Sequence, residues 1–274
     1  MSVAVRRLGF ALAAAGLVLV GLVVGSMLMP GGGERGARTA GDAVAAGAAG
    51  VTAAAGAWGV DGAGGETAAG RTGAGGLPPG TSLVANVRGA RPLTVYRRAG
   101  GARPVRRLAG PSARVLLVRE QHGAWLRVLL PVRPNGASGW IRAGLVTLRT
   151  NPYRIDVRLR AHRLVVRRGR TVILRTPIGV GQAVTPTPRG LAYVTRLLRQ
   201  PDPRGPYGPW AFGLSVYSPV LTHFGGGPGE VGIHGTNAPA GIGRDVSHGC
   251  IRLPNVAIER LARMLPLGTP VRIA

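Results

Sequence analysis

The chain has 274 residues, 45% of them hydrophobic, which is long enough for one large or two modest domains with buried cores. It contains no lysine, and its 35 basic residues, all arginine, outnumber the 10 acidic residues, so the formal net charge is +25. Its one cysteine, Cys250, excludes a disulfide within the chain.

An apolar run near the N-terminus predicts export. Arg6 and Arg7 precede residues 8–29, which carry no charged side chain. As a helix this run would extend roughly 33 Å at about 1.5 Å per residue, enough to cross a bilayer core. Residues 1–30 are therefore predicted to be a signal peptide or a membrane anchor, with the rest of the chain outside the cytoplasm. The length favours an anchor, although small residues such as Val24 and Ser26 leave cleavage open.

Residues 31–80 consist mostly of Gly and Ala and contain few large apolar side chains. Such a segment cannot bury enough surface to offset its ordering entropy, so a disordered tether is predicted. The arginine excess lies almost wholly after residue 80. A basic region favours polyanionic partners, and export points to anionic cell-wall polymers rather than nucleic acid.

Residues 81–149 contain short apolar runs between turn signals. The runs are 83–87, 93–96, 115–118, 125–130 and 139–141. Five short strands predict a small β-barrel. The run from Trp125 to Val128, followed by Trp140 and Val146, resembles the bacterial SH3-like family over about residues 82–148. The resemblance implies a wall-binding module or a structural appendage. Trp125 and Trp140 are predicted to lie in the core, with a ligand platform as the alternative.

Residues 152–273 are predicted to be mainly β with one minor helix. Apolar residues alternate from Tyr153 to Leu159, runs 164–166 and 172–174 follow, and 185–190 form a Pro-rich turn. Near the end, Asn255 can cap a helix that Pro266 stops. Its apolar stripe consists of Ile258, Leu261, Ala262 and Leu265. Val271 and Ile273 predict a last strand.

Cys250 is either a packing residue or a nucleophile, and its neighbours favour chemistry. A thiol attacks as thiolate, so a catalytic cysteine needs a nearby base or positive charge. If residues 247–251 are extended, His248 shares a face with Cys250, whereas a hairpin through 236–245 brings in His234 equally well. Gly249 permits close substrate approach, and backbone amides around Cys250 can form an oxyanion hole.

Two alternatives concern the same residues. His223, His234, His248 and Cys250 have the ligand types of a zinc site, but their spacing matches no paired-ligand pattern, so no metal is predicted. Asp245 is either a carboxylate that orients a histidine or a solvated loop acid.

Two motifs carry a family resemblance. The run from Gly232 to Thr236, together with the run from Ser247 to Leu253, resembles the signature of the L,D-transpeptidase family, also called the YkuD domain, over about residues 152–273. The resemblance implies a β-rich catalytic domain with Cys250 as nucleophile and His234, in place of His248, as general base.

The resemblance also implies roles for five neighbours. Gly235, where several members have serine, orients His234 through its carbonyl, and Gly249 contributes backbone to the oxyanion hole. His248, Ser247 and Arg252 contact substrate or shape the pocket. No cofactor is implied.

The implied reaction is transfer of a peptidoglycan stem peptide, with loss of D-alanine, to an amine that becomes a cross-link. Two other functions remain open. One is an L,D-carboxypeptidase that uses water as acceptor, and the other is a non-catalytic wall-binding protein.

Overall fold

A computed structural model describes residues 76–274, which belong to one compact unit. The predicted anchor at 1–30 and nearly all of the predicted tether lie outside these residues. Among the residues that are described, none forms a helix long and apolar enough to cross a membrane.

The first sheet domain, residues 82–151, is a seven-stranded antiparallel sheet with the strand order β3-β2-β6-β5-β4-β1-β7. Its strands are β1 Ser82–Val87, β2 Leu93–Tyr96, β3 Pro104–Leu108, β4 Val115–His122, β5 Trp125–Leu129, β6 Ser138–Arg142 and β7 Val146–Asn151. Short 3-10 turns span Pro111–Ala113 and Ala143–Leu145. The five predicted strands are present, and β3 and β7 are added at the two edges of the sheet. The SH3-like resemblance stays a prediction.

Trp125 and Trp140 are only partly buried, so their predicted place in the core is wrong. Trp125 packs edge-on against Tyr96 at 5.1 Å, and the Arg142 guanidinium lies 4.8 Å from its ring centroid. The core of this domain is built instead from aliphatic residues such as Leu116, Leu126 and Ile141, all fully buried. The tryptophans therefore pack on the surface of this domain.

The second sheet domain, residues 153–273, is an eight-stranded sheet with the order β10-β9-β8-β17-β12-β13-β14-β16 and a separate parallel pair, β11 and β15. Its strands are β8 Tyr153–Arg158, β9 Arg163–Arg168, β10 Thr171–Pro177, β11 Val180–Gly181, β12 Gly190–Arg199, β13 Trp210–Tyr217, β14 Glu230–His234, β15 Asp245–Ser247, β16 Ile251–Arg252 and β17 Pro270–Ile273. A 3-10 turn spans Pro239–Gly241, and helix α1 spans Asn255–Met264. The mainly β fold with one helix is confirmed.

Helix α1 covers the sheet with the predicted stripe. Ile258, Leu261 and Leu265 are buried in the main core, and Ala262 packs at its edge. The predicted cap is wrong, because Pro254 occupies the N-cap position and no side chain caps the helix. Asn255 is the first helical residue, and its Oδ1 accepts a hydrogen bond from the Thr236 N–H at 2.8 Å. This bond ties α1 to the segment that follows β14.

The two sheet domains share buried residues. Tyr193 of β12 is fully buried within the aliphatic core of the first sheet domain, and Leu191 packs against the same core. Gly268, at φ +83°, approaches the same domain so closely that a Cβ there would meet the Val84 side chain. Burying a Tyr side chain contributes on the order of 2 kcal/mol, but the Tyr193 hydroxyl has no hydrogen-bond partner within residues 76–274, which offsets part of this gain.

Candidate active site

Strands β14 and β16 set the relative positions of the cysteine and the histidine. They run parallel, with Ile233 opposite Ile251 and His234 opposite Arg252. Both isoleucines are fully buried in the core, so strand alternation puts His234 and Arg252 on the other face. Cys250 directly precedes β16, and its Sγ accepts a hydrogen bond from the Gly232 N–H at 3.4 Å. The thiol therefore lies beside Gly232, two residues before His234.

A carbonyl fixes the tautomer of His234. Its Nδ1–H donates to the Gly235 carbonyl at 2.6 Å, which leaves Nε2 unprotonated and able to accept a proton. Nδ1 is therefore the donor and Nε2 the acceptor. The Gly235 carbonyl makes the contact that the family resemblance implies for it.

Close packing keeps the Gly235 carbonyl in place. A Cβ on Gly235 would lie 3.1 Å from the Gly208 Cα and would also meet the Asn255 amide oxygen, so a serine side chain does not fit here without a shift. The Tyr207 ring packs edge-on against His234 with 4.8 Å between ring centroids. The sequence gives no signal for Tyr207, because it lies far from both motifs in a Gly/Pro-rich loop.

The surroundings of both groups favour their neutral forms. Burial lowers the pKa of His234 to about 4, and the Arg252 charge lowers it too, while the Gly235 carbonyl opposes them. Burial also raises the pKa of the Cys250 thiol, while the Gly232 N–H and Arg252 oppose that effect. Both shifts favour a thiol and a free base over a thiolate–imidazolium ion pair.

A tight turn connects β15 to Cys250. Ser247 is 1% exposed, and its hydroxyl donates to the Cys250 carbonyl at 2.6 Å while accepting from the Gly249 N–H at 3.1 Å. Gly249 has φ +114°, in the region that only glycine adopts readily.

This turn bears on three expectations. Residues 248 and 249 lie in a bend, so 247–251 are not extended and the geometric case for His248 as the base is lost. The Ser247 hydroxyl bonds within the turn, in keeping with the predicted role of shaping the pocket. The Gly249 N–H, which was predicted for the oxyanion hole, is bonded to that hydroxyl, whereas the Cys250 N–H has no acceptor among residues 76–274.

The remaining predicted residues line the surroundings of the thiol. His248 is exposed, and its ring lies 5.3 Å from that of Phe224. Arg252 is partly buried, with an Nε that has no hydrogen-bond partner in the described part of the chain. Its positive charge lowers the pKa values of both His234 and Cys250.

Asp245 and His223 have polar contacts with residues outside the two motifs. Asp245 Oδ1 is 2.8 Å from His162 Nε2, so the acid contacts a histidine, but one outside the motif. His223 is on an exposed loop, where its ring contacts the Thr222 hydroxyl at 3.3 Å. Within residues 76–274 no three His, Cys, Asp or Glu side chains group as metal ligands do.

A histidine with one free nitrogen, on a strand beside a partly buried cysteine, is an arrangement typical of cysteine acyltransferases and hydrolases. Residues 152–273 match the YkuD family, the L,D-transpeptidase catalytic domain. The chain belongs to the L,D-transpeptidase family.

Relatives in two bacilli support this assignment. The YkuD protein of Bacillus licheniformis, which carries the L,D-transpeptidase name, is 36% identical over 154 residues, covering 54% of this chain and 85% of the relative. The YkuD protein of Bacillus subtilis is 40% identical over 130 residues, covering 47% and 71%. Among solved structures, an L,D-transpeptidase from Mycobacterium smegmatis is 18% identical with a TM-score of 0.36, covering 55% of this chain and 89% of that one.

Proposed function

We propose that this protein is a peptidoglycan L,D-transpeptidase that uses Cys250 as nucleophile and His234 as general base. One observation carries the proposal. The Gly235 carbonyl holds His234 in the tautomer that leaves Nε2 free, on the strand beside which the Cys250 thiol lies. A base with this tautomer is what a protonated thiol needs in order to attack.

The first half of the reaction forms a thioester. His234 Nε2 takes the proton from Cys250 Sγ as the sulfur attacks the carbonyl of an L-centred residue bonded to a terminal D-alanine. The resulting oxyanion accepts a hydrogen bond from the Cys250 N–H, for which residues 76–274 provide no acceptor. The tetrahedral intermediate then expels D-alanine, whose amine takes the proton from His234.

The second half transfers the acyl group. An amine of a neighbouring stem attacks the thioester, and His234 accepts its proton. Cys250 leaves as thiolate and is reprotonated by His234, which restores the neutral pair. The product is an amide cross-link, with one D-alanine released for each bond formed.

Neighbouring residues serve binding and positioning. Arg252 places positive charge beside the thiol, where it attracts the terminal carboxylate of the stem peptide. His248 and Phe224 form an exposed aromatic pair against which the peptide packs. Ser247 shapes the turn, and Gly249 supplies the φ +114° that turn requires.

The wider assignments are proposals of the same kind. Residues 1–30 hold the chain at the cytoplasmic membrane with residues 81–149 and 152–273 outside, and 31–80 act as the tether. The arginine-rich surface contacts anionic wall polymers by charge attraction.

One assay tests the proposal against its two alternatives. The protein is incubated with a tetrapeptide stem and an amine acceptor, and products are identified by mass spectrometry. An acyl–acceptor adduct with released D-alanine supports transfer. Tripeptide alone assigns a carboxypeptidase, and no product at all assigns a binding protein.

A further inference from the structure

A loop between β13 and β14, residues 218–229, forms one wall of the thiol site. Its Phe224 ring lies against His248, and a Cβ on Gly225 would be 3.7 Å from the Tyr207 hydroxyl. The loop is closed at its tip by two hydrogen bonds between Phe224 and Gly227, both 2.9 Å. The Phe224 side chain is 42% exposed.

Arg133 of the first sheet domain joins the two ends of this loop. Its Nη1 donates to the Ser218 carbonyl at 2.7 Å, and its Nη2 donates to the Leu221 and Pro228 carbonyls, both at 3.0 Å. Its guanidinium also lies 4.9 Å from the Tyr217 ring centroid. Only a planar fork of donors reaches three carbonyls in this way, which a lysine ammonium cannot reproduce.

Asn135 binds the residue from which the loop starts. Its Nδ2 donates to the Tyr217 carbonyl at 2.8 Å, and its Oδ1 accepts from the Tyr217 N–H at 2.9 Å. The Tyr217 hydroxyl donates to the Pro131 carbonyl at 2.8 Å. Residues 131–135 thus occupy the backbone groups of Tyr217 much as a neighbouring strand would.

We propose that Arg133 and Asn135 are positioning residues for the reaction at Cys250. They act through the 218–229 loop, whose Phe224 narrows the approach to the thiol and contacts the bound stem peptide. The first sheet domain is therefore part of the active site, and not only a module that binds the wall. The substrate role rests on the proposed function, whereas the effect on access to the thiol does not.

The chain's single cysteine makes access to the thiol directly measurable. Full-length protein is labelled with iodoacetamide, which is small, and with fluorescein maleimide, which is bulky, and the ratio of the two rate constants is taken. In Arg133→Ala the loop moves away, so the bulky-to-small ratio should rise about tenfold. Arg127→Ala is the matched control, because this exposed arginine of the same domain makes its side-chain polar contacts with Glu120 and Ser138, outside the 218–229 loop. A ratio for Arg133→Ala within about twofold of both wild type and control overturns the proposal.

Two further variants test the proposal if Arg133→Ala fails to fold. Arg133→Lys keeps the charge but loses the fork, and Asn135→Ala removes only the pair with Tyr217. Each should raise the ratio, Arg133→Lys by more than twofold and Asn135→Ala by less than Arg133→Ala does. Wild-type ratios in both variants overturn the proposal.

Turnover tests the substrate role separately. With a stem peptide as substrate, Arg133→Ala should raise KM about tenfold and lower kcat by less than that. Millimolar guanidinium ion should restore part of the lost kcat/KM. A loss of stability alone would instead lower kcat in parallel with the folded fraction, without rescue, and would overturn the positioning role. If wild type has no turnover, the proposed function fails, and the labelling ratio still decides the effect on the loop.

Discussion

The two sides of the Cys250 thiol are built differently. On one side, β14 and β16 pair in parallel, and the Gly235 carbonyl fixes the His234 ring. On the other side is the 218–229 loop, held at its base by Arg133 and Asn135 of another sheet domain. His234 belongs to β14 and Cys250 directly precedes β16, whereas the 218–229 loop is bonded to Arg133 and Asn135 of the first sheet domain.

The difference follows from what each side has to do. Proton transfer needs the thiol and imidazole within a few tenths of an ångström of a working geometry, which paired strands provide. Substrate entry requires movement, which segments with few buried apolar contacts allow. We call β14, β16 and the turn before Cys250 the strand side, and residues 218–229 the loop side. We expect substitutions on the strand side to affect the chemical step, and substitutions on the loop side to affect access to the thiol and KM.

The largest expected effect comes from removing the nucleophile. Cys250→Ala should lower D-alanine release by at least ~10⁴-fold, because the thioester can no longer form. Binding of the arginine-rich chain to cell-wall sacculi should stay unchanged, and pull-down with sacculi checks this. Turnover retained by the variant would contradict the assignment of Cys250.

Replacing the base should have a smaller effect. His234→Gln keeps a polar side chain but cannot take the proton, so kcat should fall by about 10³-fold. Iodoacetamide labelling of Cys250 at pH 7 should slow as well, because thiolate formation loses its base. His248→Gln is the matched control, because His248 lies on an exposed turn and is not the proposed base. Equal losses of kcat in the two variants would contradict the assignment of His234 as the base.

The pH dependence of stability reports on the same histidine. Its pKa is about 4 in the folded protein against an ordinary 6.5, so between these values the unfolded chain binds a proton that the folded chain does not. The free energy of unfolding should therefore fall by ~3 kcal/mol as the pH drops from 6.5 to 4, through this group alone. Urea unfolding of wild type and His234→Gln at the two pH values checks this, and equal pH slopes would rule it out.

A pair of glycine substitutions compares the two sides directly. Gly249→Ala strains a turn at φ +114° beside the thiol, and activity should fall about tenfold, mostly in kcat. Gly226→Ala strains the loop tip at φ +79°, where a Cβ meets nothing within 4 Å, and should change kcat by less than about twofold. Steady-state kinetics of both variants test this. A larger change in kcat for Gly226→Ala than for Gly249→Ala would contradict the expectation that the chemical step depends more on the turn beside the thiol than on the loop.

Much of the strand side could be predicted from sequence. The two motifs supply Cys250, His234 and the Gly235 carbonyl, and the i, i+3, i+4 stripe predicts α1. Local patterns also favoured His248 as a base, and the structure shows why that inference fails. A positive φ at Gly249 breaks the extended segment on which it depended, and period-two reasoning has no means to see a single left-handed residue.

The loop side could not be predicted, because its contacts are long-range. Arg133 and Ser218 are 85 positions apart, and neither belongs to a motif. Edge strand β3 was missed for a related reason, since its residues are nearly all exposed and show no apolar alternation. Asn255 was expected to bond its own helix, but its partner is Thr236, which only the folded chain brings close.

The raised pKa of Cys250 also bears on chemical damage. Peroxides oxidise the thiolate far faster than the thiol, and a sulfenic acid is ordinarily rescued by a second cysteine that closes a disulfide. This chain has no second cysteine to close such a disulfide. Burial raises the pKa of Cys250 and so favours the thiol over the thiolate, and the same burial therefore slows oxidation of its sulfur.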